Sequence, residues 1–155
     1  MNSDIEVKTL EQEFCRAVYE LENAVFSSPR SLSAVEEDAG NPNAVFLAAF
    51  CEGEFAGYGG FGYVLDEGYI GNIAVAPEFR RRGVASAILD EFDRRAKALG
   101  LRFLTLEVRS RNSCAIALYD KHGYVRAGLR KGFYVKPDDD GLIYTKELTD
   151  EDIGD

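Results

Sequence analysis

The stretch IAVAPEFRRRGVA, Ile73 to Ala85, decides how the chain is read. An apolar alternation runs through a proline into Arg80, Arg81 and Arg82, then into a glycine and small residues. Pro77 closes a strand, and Gly83 opens a helix whose apolar face is Val84, Ile88, Phe92 and Ala96. A helix starting there leaves its first N–H groups without internal partners, and its dipole favours an anion. Gly83 can take backbone angles barred to other residues. Ala85 and Ser86 are small enough for a phosphate to approach the main chain, and guanidinium groups add charge and directional donors. The pattern predicts a diphosphate cradle built mostly of backbone. It is not a Walker loop, and no G-x-G-x-x-G follows the strand. Taken alone, the same residues also suit a solvated basic loop.

The flanking sequence supplies the rest of an α/β pattern. Leu10, Phe14, Val18, Leu21 and Val25 recur at helical spacing and predict a helix from about Leu10 to Phe26. SSPRS interrupts it, and SLSAVEEDAG gives a short second helix ending near Gly40. NAVFLAAFC reads as a strand, EGE as a tight turn and FAGYGGFGYVL as the hairpin partner. The glycines in that partner suggest twist or a bulge, and its aromatics a buried face rather than a base-stacking surface. A second turn at Asp66, Glu67 and Gly68 leads into YIGNIAVA. After the helix that Gly100 stops come the strand LRFLTLEV and the helix SCAIALYDKH, capped by Asn112 or Ser113 and ended by Gly123. YVRAGLRKGFYV and GLIYTKEL are two more strands. The expected order is β-α-α-β-β-β-α-β-α-β-β, one mixed α/β domain over residues 1–155.

Composition narrows the function. At 155 residues, 46% hydrophobic and 29% charged, the chain suits one globular domain with a real core. No apolar run approaches the roughly 20 residues that span a bilayer, and the first residues show no secretory signal. The three cysteines (Cys15, Cys51, Cys114) and the single histidine, His122, form no zinc spacing or disulfide framework. A reduced, cytoplasmic protein without metal or membrane contact is expected. With 18 basic against 27 acidic residues, net charge -9, general nucleic-acid binding is disfavoured. Asp138, Asp139 and Asp140, with the closing TDEDIGD, read as a solvated loop and a frayed terminus, or as a lure for a basic partner.

Arg80, Gly83 and Ala85 fill [QR]-x-x-G-x-[GA], and LEVRSRNSCAIALYDKHGY follows at the matching distance. On these residues the chain resembles the GCN5-related N-acetyltransferase family, and within it the ribosomal-protein-alanine acetyltransferase subgroup. The likeness is strongest from Asn72 to Tyr134. It implies a fold whose central parallel strands splay apart around acetyl-coenzyme A. The pantetheine arm would lie along Ile73, Ala74 and Val75, and the diphosphate at Arg80, Arg81, Arg82, Gly83, Val84, Ala85 and Ser86. Asn112 would touch the cofactor. The acceptor implied is the N-terminal alanine of a small-subunit ribosomal protein; a small amine or an internal lysine is the alternative, and a non-catalytic acyl-coenzyme A module a third.

Acetyl transfer to nitrogen needs a neutral amine and a protonated leaving thiolate. Glu107 alternates with Phe103 and Thr105, opposite Leu104, Leu106 and Val108, which suits a solvent-facing acid or an Arg109 partner. The resemblance makes it the general base, with partial burial expected to raise its pKa. Tyr119, on A-x-x-L-Y, would protonate the departing sulfur; by periodicity alone it is a core residue. RKGFYV resembles the subgroup's acceptor hairpin, giving Tyr134 a peptide-binding role. Arg30 stands in SSPRS where relatives often carry a tryptophan beside the substrate entrance, and is the second substrate-binding candidate. Cys114, lacking a histidine base, is expected to pack in its helix.

Overall fold

The computed structural model describes residues 4–26, 28–135 and 138–148. Its elements are β1 (Ile5–Thr9), α1 (Cys15–Val25), α2 (Leu32–Ala39), β2 (Ala44–Cys51), β3 (Glu54–Val64), β4 (Glu67–Val75), α3 (Val84–Ala98), β5 (Phe103–Arg109), α4 (Ser113–Lys121), β6 (Val125–Val135) and β7 (Asp138–Glu147). The order is the one expected, and the class is the expected mixed α/β fold with seven strands and four α-helices. The chain divides into two compact units, Met1–Gly62 with Gly71–Phe92, and Tyr63–Ile70 with Asp93–Asp155. The closing TDEDIGD lies outside the described residues apart from its preceding Leu148.

In the first unit β1, β2 and β3 form antiparallel ladders, with Ile5 opposite Cys51 and Ala44 opposite Gly62. The register of β2 and β3 shifts between Ala49 and Phe50, leaving Ala56 as the extra residue of a bulge. The neighbouring glycines serve close approach. A Cβ on Gly57 would sit 2.5 Å from the Ala74 carbonyl oxygen, and one on Gly60 would meet the Phe46 ring at 2.2 Å. Phe61 and Phe92 meet edge to face at 5.3 Å, which fixes α3 through its apolar stripe.

The expected first helix is shorter than its periodicity suggests. A 3-10 turn covers Gln12–Phe14 and α1 begins at Cys15, while Leu10 is buried ahead of it, its N–H donating to the Phe46 carbonyl at 2.8 Å. The buried stripe of α1 is Cys15, Val18, Leu21 and Glu22. That carboxylate is 1% exposed. Arg30 holds it through Nε at 3.3 and 3.2 Å, Nη2 at 2.7 Å and its own backbone N–H at 3.2 Å. The Tyr58 hydroxyl also donates to it, and Arg30 Nη1 pairs with Asp38. Burial alone would raise the Glu22 pKa, but the hydrogen bonds from Arg30 and Tyr58 outweigh it and hold the carboxyl below its usual range. Ser31 then caps α2 by accepting from Ala34 N–H at 3.1 Å.

In the second unit β4 and β5 pair in parallel from Glu67↔Phe103 to Tyr69↔Thr105. β7 lies antiparallel to β5, with Glu107 opposite Ile143, and β6 flanks β7. The turn before β4 falls earlier than expected, at Leu65 and Asp66, with Leu65 at φ 56°. Gly68 belongs instead to β4, because a Cβ there would come within 2.6 Å of Leu104. The acidic run at 138–140 is strand, not a solvated loop, and Asp139 is 8% exposed. The alternation of β5 holds, with Leu104, Leu106 and Val108 buried.

Candidate functional site

The cradle residues lie in the first unit. Gly83 takes φ 87°, the left-handed conformation the sequence anticipates, and α3 starts directly after it. Its first intrahelical bond is Ala87 N–H to the Gly83 carbonyl at 3.0 Å, so the N–H groups of Val84, Ala85 and Ser86 precede the ladder. Val84 is 2% exposed, so its side chain packs in the core. Arg81 also takes a left-handed angle, φ 65°.

The three arginines have different settings. Arg80 turns back along the loop, its Nε donating to the Val75 carbonyl at 3.3 Å. Arg82 lies over the Phe79 ring at 5.5 Å and reaches the Cys51 sulfur at 3.9 Å. Arg81, Arg82 and Gly83 line a cavity of about 400 Å³ together with Cys51, Glu52 and Asp4. A diphosphate fits this chemistry: two guanidinium groups and a left-handed glycine stand at a helix start. Ala74 is buried in β4, with Ile73 and Val75 half-buried beside it. The carboxylates of Glu52 and Asp4, which sequence reasoning missed, temper the positive charge. Their approach follows from the β1–β2 ladder, where Glu52 N–H donates to the Asp4 carbonyl at 2.9 Å.

The acid–base candidates lie in the second unit. The Glu107 side chain is partly buried, 29% exposed, and its Oε2 is 2.9 Å from Arg130 Nε. Arg130 belongs to β6, beyond β7, and its pairing with Glu107 was not legible in the sequence. Arg109, read as a possible partner of that carboxylate, stacks over Tyr134 at 4.3 Å. Phe133 meets Tyr134 edge-on at 4.9 Å. Burial first, and then the Glu107 carboxylate, raise the Tyr134 pKa. Burial and, next, Tyr134 push Tyr119 up to about 12. Tyr134 is therefore within electrostatic reach of Glu107 on one side and of Tyr119 on the other.

Asn112 caps α4, its side-chain oxygen accepting from Ala115 N–H at 3.2 Å. Tyr119 is half-buried, 5.9 Å from the Tyr124 ring. Cys114 is exposed rather than packed in its helix. The Arg30 guanidinium is occupied by Glu22 and Asp38. Among the described residues no cluster of three or more His, Cys, Asp or Glu could hold a metal, and no helix is long and apolar enough to cross a membrane.

Comparisons extend the local geometry to the whole chain. A Bacillus subtilis (strain 168) protein named "Putative ribosomal protein bS18-alanine N-acetyltransferase" is 35% identical over 144 residues, 92% of this chain and 95% of its own. The ribosomal protein bS18-alanine N-acetyltransferase of Escherichia coli (strain K12) is 32% identical over 88% of this chain and 93% of its own. A crystal structure of the Escherichia coli ribosomal-protein-S18-alanine N-acetyltransferase superposes with a TM-score of 0.85 at 27% identity, covering 94% of each chain. Residues 15–124, which carry the cradle, Glu107 and Tyr119, match the Acetyltransferase (GNAT) family, and the chain belongs to that family.

Proposed function

We propose that this acetyltransferase carries acetyl from acetyl-coenzyme A to the N-terminal α-amine of a protein, with the N-terminal alanine of ribosomal protein bS18 as acceptor. The observation that carries the reading is the Glu107–Arg130 pair, which ties that carboxylate to the RKGFY segment, in a chain similar over nearly its full length to two proteins named for that activity.

The residues that would hold the cofactor are Arg80, Arg81, Arg82, Gly83, Val84, Ala85 and Ser86 at the diphosphate, Ile73, Ala74 and Val75 along the pantetheine, and Asn112. When bound, acetyl-coenzyme A supplies an activated acetyl thioester. Glu107 Oε2 draws the proton from the acceptor ammonium, directly or through water, and Arg130 fixes that carboxylate in place. Tyr119 Oη keeps its proton at neutral pH and gives it to the departing sulfur. Tyr134 lines the acceptor groove. At pH 7 freeing an α-amine costs about 1 kcal/mol, against roughly 4 to 5 for a lysine. A modest base such as a carboxylate is the better match for the first.

The test is a panel of peptides and amines with acetyl-coenzyme A, followed by thiol release. Turnover on Ala-initial peptides is expected. Turnover confined to polyamines, free amino acids or internal lysines would replace the acceptor, and binding without turnover would make the chain a binding module.

A further inference from the structure

Asp139 and Asp140 are neighbours on β7 whose carboxylates serve different loops. Asp139 Oδ1 accepts from the Ser110 hydroxyl and from Asp140 N–H at 2.7 Å, and its Oδ2 accepts from Arg111 N–H at 3.1 Å. Ser110 N–H in turn donates to the Asp140 carbonyl at 3.0 Å. The segment so gripped ends one residue later at Asn112, whose N–H returns to the Arg109 carbonyl at 3.0 Å and whose side chain caps α4. Successive side chains on a strand point to opposite faces, and Asp140 turns to the other loop. Its Oδ1 accepts from Gly132 N–H at 2.8 Å. Gly132 has φ 65° and lies in the β6 irregularity between Arg130 and Tyr134, just before the two aromatic residues.

We propose that Asp139 and Asp140 are positioning residues that set the binding of the two substrates separately. Asp139 acts on the cofactor through the Ser110–Asn112 loop, and Asp140 acts on the acceptor through the Gly132–Tyr134 bulge. This rests on the reading of Asn112 as a cofactor contact and Tyr134 as an acceptor contact. The device suits its task because a buried carboxylate accepting several N–H and O–H bonds has one allowed orientation. The Ser110 hydroxyl, opposed by burial and helped by the Arg111 and Asp140 N–H groups, holds the Asp139 carboxyl below the ordinary range. It is therefore an ionised acceptor at every pH at which the amine reacts. An amide of the same shape would point a donor at donors.

The experiment uses the full chain with D139N and D140A, and S110A as a milder relative of the first. Hydrogen exchange at the Arg111 and Gly132 amides is read in the free protein, and KM for each substrate in turnover. D139N is expected to speed exchange at Arg111 and raise the acetyl-coenzyme A KM about three- to tenfold, with peptide KM unchanged, the size expected from losing one ordinary hydrogen bond. S110A should move both readouts the same way by less. D140A, which removes the acceptor, should speed exchange at Gly132 and raise only the peptide KM. Unchanged exchange in all three overturns the anchoring itself. Faster local exchange with neither KM moved overturns the roles given to Asn112 and Tyr134. Equal rises in both KM values with either variant reduce the pair to ordinary structural residues and end the proposal.

Discussion

Arg130 Nε lies 2.9 Å from Glu107 Oε2, joining the proposed base on β5 to the acceptor segment on β6. The pair is open to solvent, with side chains 58% and 29% exposed, so it adds little to stability. Its consequence is orientation. The Glu107 carboxylate is held facing the Gly132–Tyr134 side rather than swinging freely.

Replacing Glu107 by Gln keeps shape and removes the base. The kcat should fall by roughly 100-fold while the dissociation constant for acetyl-coenzyme A stays nearly constant. Calorimetric titration beside thiol release checks both halves. Unaltered turnover would remove Glu107 from the mechanism.

Arg130→Ala tests orientation alone. Its melting temperature should barely move, since exposed ion pairs contribute only about 0–1 kcal/mol. The kcat should still drop several-fold, less than in E107Q, and Arg130→Lys should restore part of it.

Tyr119 carries the clearest pH signature. Burial and the neighbouring Tyr134 place its pKa at about 12, so the proton it donates is present throughout the range in which the enzyme is assayed. Tyr119→Phe should reduce kcat by about 100-fold, the lower end of what lost general acid catalysis costs. The pH–kcat curve should keep its shape up to about pH 10, because the wild-type hydroxyl has not begun to ionise. An alkaline limb near pH 9 that vanishes in Y119F would contradict the assignment.

Arg30 supports stability through its bonds to Glu22 and Asp38. Arg30→Ala would leave the Glu22 carboxylate buried with only the Tyr58 hydroxyl, and breaking one side of such a pair costs about 3–5 kcal/mol. Urea unfolding gives the number. Glu22 and Asp139 both have folded pKa values below their unfolded ones. Their stabilisation is therefore complete above the ordinary carboxylate values of about 4.3 and 3.9, and is lost as pH falls through the lower folded values. Unfolding midpoints followed downward from pH 5 should decline, and the decline should be shallower in D139N.

The fold was legible where periodicity and punctuation agree. The 3.6-residue spacing of Val84, Ile88, Phe92 and Ala96 and the left-handed Gly83 give α3 its start and face, and strict alternation gives β5. Legibility failed where a contact is made across the chain. Glu22 shares the stripe of Cys15, Val18 and Val25 by spacing, yet its charge hid it, because a buried acid needs partners that only folding brings. Asp66-Glu67-Gly68 looked like a turn because glycine usually marks one, but Gly68 answers to the bulk of Leu104 instead. The Glu107–Arg130 pair depends on the order β5-β7-β6, which local pattern does not encode. The exposed Cys114 shows the same limit, since spacing cannot say which side of α4 meets solvent.

Phe46 lies where the side chain of residue 60 would otherwise stand, within 2.2 Å of any added methyl. The two positions thus share one volume. Homologous chains that lack the ring at 46 are free to carry bulk at 60, and those that keep it are not, so the pair should vary in concert. Directed evolution that randomises only residue 60 will find that site closed, whereas joint randomisation opens it.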